Sequence, residues 1–114
     1  MISRPPSAFE ALLYIIIFLC GFSFISFSQT DTILVASYNL LNYPGSDAAI
    51  RNPYFRKVIH TMKPDVLIVG EMTSQTGVNT FLNEVMNKYQ PGLYTTIPFH
   101  DGPDTDSEIF FRAD

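Results

Sequence analysis

The chain has 114 residues, 46% of them hydrophobic, with 7 basic and 11 acidic side chains. That length admits one domain at most. A net charge of −4 without a basic run argues against a protein that holds nucleic acid by its own field.

The first element is apolar. "ALLYIIIFLCGFSFISF", residues 11–27, carries no charge, Arg4 precedes it and Glu10 stands at its edge. Ser26-Phe27-Ser28 follows the small-x-small pattern that signal peptidase accepts, so residues 1–28 read as a secretory signal peptide. The alternative is an uncleaved membrane anchor, since 17 residues lie near the lower limit for a bilayer span. Leu19-Cys20 resembles a lipoprotein site only weakly, because leucine is large for the position before such a cysteine. Cleavage after Ser28 implies a secreted or periplasmic protein with no stable membrane association. Cys20 leaves with the signal, so residues 29–114 contain no disulfide or thiolate site. They hold six basic and ten acidic residues, a net of −4. A phosphate-bearing partner would then need a device that offsets repulsion, and a divalent cation on carboxylates is the usual one.

Residues 32–39, "TILVASYN", predict a strand whose Ile33-Leu34-Val35-Ala36 run suits burial on both faces. "LLNYPGSD" reads as a loop with a Pro-Gly turn. Asn52-Pro53 predicts a helix start, with Asn52 as N-cap and Pro53 in the first turn. Phe55, Val58, Ile59 and Met62 then form one apolar stripe. Pro64 stops that helix and Val66 opens a second strand ending at Gly70-Glu71. A second helix is predicted over residues 75–87, with its stripe at Val78, Phe81, Leu82 and Val85. "YQPGLY" is a turn, and two short strands follow at residues 94–98 and 108–112. Tyr54, Phe55 and Phe81 read as core aromatics, His60 as a helix-surface residue and His100 as a turn residue. "DGPDTDSE" lacks the residue order of an EF-hand and reads as a solvated hairpin loop, with a weak Ca²⁺ site as the alternative.

A strand, a helix and a strand in that order predict a parallel pair, because parallel strands need a crossover. The carboxyl ends of parallel strands share one rim, where ligands collect. Asn39 and Glu71 close the two strands and are therefore expected to be neighbours. A carboxylate delivered by a core strand needs a partner, solvent or a metal.

"ILVASYNLLNY", "KPDVLIVGEM" and "DSEIFFR" resemble, in order and spacing, the first half of the endonuclease/exonuclease/phosphatase superfamily with its DNase I-like fold. The resemblance spans residues 32–112. It implies an α/β fold, the N-terminal half of a four-layer sandwich: strand-helix-strand-helix and then a strand pair. It implies that Glu71 binds Mg²⁺ or Mn²⁺, that Asn39 helps to bind metal or phosphate, and that Arg112 contacts substrate phosphate. The implied reaction is hydrolysis of a phosphoester by an activated water, nucleic acid being one candidate substrate.

The family's second half supplies Gly-Asp-x-Asn and Ser-Asp-His motifs and a further histidine, and none occurs here. Ser46-Asp47 is followed by Ala48. Residues 29–114 are thus expected to be a partial, inactive domain truncated at its C-terminal side, with no catalytic set complete. The alternative is a small secreted binding or interaction protein without chemistry.

Overall fold

The computed structural model describes residues 2–21 and 30–114. The chain divides into two units, Met1–Asp31 and Thr32–Asp114. The predicted cleavage junction, Ser26-Phe27-Ser28, lies outside the described residues.

In the first unit, helix α1 runs over Ala8–Gly21. A capping box opens it: Ser7 N donates to Glu10 Oε2 at 2.7 Å and Glu10 N to Ser7 Oγ at 3.3 Å. Among the described residues, no helix is long and apolar enough to cross a membrane.

The second unit is a mixed α/β layer pair. Strand β1 (Val35–Tyr43), helix α2 (Ala48–Met62) and strand β2 (Val66–Met72) form the expected crossover, and β1 pairs parallel with β2 from Val35↔Val66 to Asn39↔Gly70. Helix α3 (Gln75–Phe81) continues into one π-helical turn at Leu82–Met86. Strands β3 (Tyr94–Thr96) and β4 (Asp106–Arg112) form an antiparallel pair, and β4 also pairs antiparallel with β2. The sheet order is β1-β2-β4-β3.

Alternation along β2 sets the layers. Leu67 and Val69 are fully buried, as is Phe110 opposite Leu67 on β4. They join Phe55 and Ile59 of α2 and Val78, Phe81 and Val85 of the third helix and its π-turn in one core. Phe81 sits at its centre, with ring centroids 5.2 Å from Tyr43, 5.7 Å from Phe55 and 5.3 Å from Phe110. Burying such a ring contributes about 2–3 kcal/mol. Gly77 allows α3 to approach β1 and β2, because a Cβ there would lie 2.8 Å from Pro44 Cδ and 2.9 Å from Met72 Sδ.

The other sheet face carries Val35 and Ile68, 57% and 40% exposed, beside half-buried Val66, Ile109 and Phe111. This corrects the expectation that β1 is covered on both faces: β1 is an edge strand, and the core covers one side only. Tyr54, at 71% exposure, is also not a core aromatic, because it points from α2 away from the Phe55 stripe.

Element ends differ as well. Helix α2 starts at Ala48, four residues before Asn52, because the Asp47 carbonyl accepts both Ile50 N and Arg51 N. Asn52 is not a cap but a buried acceptor for the Tyr43 hydroxyl at 2.9 Å. The helix stops at left-handed Lys63, φ 49°, whose N–H bonds to the Ile59 carbonyl, and Pro64 follows. "LLNY" is not loop but the irregular end of β1. "DGPDTDSE" is only partly solvated: Asp106 accepts Gly102 N at 2.8 Å, while buried Glu108 accepts Thr96 Oγ1 at 3.0 Å and Ile109 N at 2.8 Å.

Candidate functional site

The regular register of β1 and β2 ends at Asn39↔Gly70 and resumes at Tyr43↔Met72. Three residues lie between on β1 and one on β2, so the chain must bulge. Leu41, Asn42 and Glu71 take up the mismatch with φ of 52°, 55° and 59°. A positive φ costs a leucine or glutamate about 1–2 kcal/mol, so tertiary contacts must hold this bulge.

Glu71 supplies two of them. Its Oε1 accepts the Asn39 side-chain amide at 2.8 Å and its Oε2 accepts the Asn42 backbone N–H at 3.1 Å. Asn39 Oδ1 in turn accepts Leu41 N at 2.8 Å. The amide orientation follows from these partners: a carboxylate only accepts and a backbone N–H only donates. The predicted neighbours therefore meet directly. Asn39 spends its oxygen on the bulge and its nitrogen on Glu71, so in this arrangement it orients the carboxylate.

Arg51, on the first turn of α2, ties the other side. Its guanidinium donates to the carbonyls of Leu40 at 2.6 Å, Leu41 at 3.3 Å and Pro44 at 3.2 Å, and pairs with Asp47 at 2.9 Å. It also lies 5.7 Å from the ring centroids of Tyr43 and Phe55. The planar fork of arginine suits several carbonyls at once. Thr73, just past Glu71, closes the bulge from below: its N–H and hydroxyl both donate to the Tyr43 carbonyl at 2.9 Å.

Arg112 is elsewhere. Antiparallel pairing sets Asp106 opposite Met72 and Phe111 opposite Val66. Arg112 therefore stands level with Asp65 at the opposite end of the sheet from Glu71, separated by roughly 20 Å of strand, and it pairs with Asp114 at 2.7 and 2.9 Å. Arg112 and Glu71 do not face one phosphate group. The missed residues are Arg51 and Asn42. Asn tolerates the left-handed region and so hinted at the bulge, but nothing in the spacing marked Arg51.

Among the described residues, no group of three His, Cys, Asp or Glu side chains converges as a metal cage. The donor set fits a hard ion held by one carboxylate, with water and substrate oxygens as its other ligands, which is a common arrangement for Mg²⁺. Each Glu71 oxygen keeps a lone pair beyond the bond it already accepts.

Fold and rim together define an α/β unit that presents one oriented carboxylate where parallel strands end. No family model, curated protein or solved structure matches the chain.

Proposed function

We propose that Thr32–Asp114 is the first half of a DNase I-like, metal-dependent phosphoesterase domain, a secreted nuclease that hydrolyses phosphodiester bonds. The observation that carries this reading is the Asn39–Glu71 pair at the common rim of β1 and β2, held by a strained bulge. Left-handed non-glycine residues concentrate at functional sites, and Leu41, Asn42 and Glu71 are three of them at one rim. The half-exposed apolar face of the sheet agrees with a second layer in the whole domain.

Glu71 would hold Mg²⁺ or Mn²⁺, with Asn39 and the Asn42 N–H fixing its carboxylate. A bound ion would neutralise phosphate charge and polarise the phosphoryl oxygen. These residues supply no general base for water, so Thr32–Asp114 alone is inactive in this reading. Arg112 has no part in the rim.

The test uses the 114-residue chain, Mn²⁺ and an activated phosphodiester. Expected is weak Mn²⁺ binding that Glu71→Gln removes, with no hydrolysis above background. Mn²⁺ binding unchanged by Glu71→Gln would remove the metal role. Mg²⁺-dependent hydrolysis abolished by Glu71→Ala would overturn the half-domain reading. A chain that binds no metal yet melts cooperatively as a soluble monomer would favour a non-catalytic binding protein instead.

A further inference from the structure

A cavity lies at the far end of the sheet from Glu71, beside the last residues of α2 and β4. Its volume is about 260 Å³. Ile59, Val85, Met86 and Leu93 make an apolar floor. The Tyr94 ring adds to the wall, and its hydroxyl is already committed to the Pro64 carbonyl at 2.8 Å. The mouth is different in kind. His60, Lys63, Tyr89 and Arg112 stand around it. His60 and Tyr89 brace each other edge to face, with ring centroids 5.2 Å apart.

Charge at the mouth is asymmetric. Arg112 is neutralised by its two bonds to Asp114. Asp65, which also acts on Arg112, gives a carboxylate oxygen to Leu34 N at 2.7 Å. Among the described residues, Lys63 has no carboxylate at ion-pairing distance. Its backbone is fixed in the left-handed region by the bond from its N–H to Ile59 O, which sets where the side chain leaves the main chain. Asp65 and Asp114 balance the two cations overall, but neither lines the cavity; of the described charged side chains that do, Lys63 is the one without an ion-pair partner.

We propose that this cavity binds a small organic carboxylate: one ring or a short acyl chain against Met86 and Leu93, with its anionic head at Lys63. The volume sets the size, since drug-sized ligands need about 300 Å³ or more. The apolar floor supplies contact area and Met86 adapts its shape. Lys63 supplies the discrimination between an acid and its neutral analogue. The site is independent of the Glu71 rim and does not rest on the phosphoester reading.

The test is a titration of the 114-residue chain, carrying ¹³C-methyl methionine and leucine, with benzoate and with benzyl alcohol. Expected are saturable shifts of the Met86 and Leu93 methyl signals with benzoate at millimolar concentrations. Benzyl alcohol should bind less well by about three- to fivefold, as expected for one exposed charge pair. Lys63→Gln should weaken benzoate by a similar factor and leave benzyl alcohol unchanged, and Lys63→Glu should weaken benzoate further. Lys63 is exposed, so the variants retain the core. Absence of saturable shifts overturns the site. Equal binding of the two probes, or benzoate binding that Lys63→Gln leaves unchanged, overturns the assignment of a carboxylate.

Discussion

Replacing Glu71 by glutamine tests whether the bulge at the strand ends depends on this carboxylate. Both residues pay the same cost at φ 59°, so backbone strain cancels in the comparison. What changes is the acceptor set. One oxygen becomes an NH₂ group, which must then face either the Asn39 amide or the Asn42 N–H, both of which donate. Hydrogen bonds to a charged group contribute about 1.5–3 kcal/mol when buried. Solvent reaches this pair, which lowers the figure to about 1 kcal/mol. For a domain of this size that corresponds to a fall in Tm of roughly 4–8 °C. Asn39→Ala should cost somewhat more, because it also frees the Leu41 N–H. In a double-mutant cycle the two changes should couple by about 1 kcal/mol, since they remove one shared bond. The assay is thermal unfolding of the 114-residue chain, followed by near-ultraviolet circular dichroism of its tyrosines. A glutamine variant melting within about 2 °C of the parent, or an additive cycle, would refute the reasoning. The bulge would then be held by Arg51 and Thr73 without help from Glu71.

Arg51→Met should lower stability by about 2–3 kcal/mol, because three carbonyls lose a charged donor at once. A urea midpoint measures this, and Arg51→Lys should recover little, since an ammonium cannot span the three acceptors. At alkaline pH the limit should come from Tyr43 and Tyr94, whose phenols burial pushes above their usual value of 10.0. A raised folded-state value means the stabilisation is complete below pH 10 and is lost as pH rises through the higher folded values. In an ultraviolet absorbance titration these two tyrosines should ionise above pH 10, together with unfolding. Tyr43→Phe should remove one late-titrating group and cost about 1–2 kcal/mol, because it strands the buried Asn52 oxygen.

Much of the local order follows from the sequence itself. The crossover is legible because Val66–Val69 form an apolar run too short for a helix, while Phe55, Ile59 and Met62 recur at helical spacing between two such strands. Parallel pairing then places Asn39 and Glu71 on one rim, and the structure joins them by a 2.8 Å bond. Asn52-Pro53 has the form of a cap, yet the helix starts at Ala48 and Asn52 is needed inside as a partner for Tyr43. A local signal yields when a buried hydroxyl requires an acceptor.

Other features belong to the tertiary structure alone. The direction of β4 is not written in "EIFFR". Inserting that strand antiparallel beside β2 carries Arg112 away from Glu71 and sets it at the mouth of a separate cavity. The left-handed bulge arises from a register mismatch between two strands and is stabilised by an arginine on a different element. Sequence periodicity determined the core positions of β2 and the helices at Leu67, Val69, Phe55, Ile59, Val78 and Phe81, because burial alternates with backbone geometry, but it did not foresee that Val58 and Tyr54 face solvent. Which polar groups meet across the sheet was decided by strand order and register, because those depend on all elements packing at once.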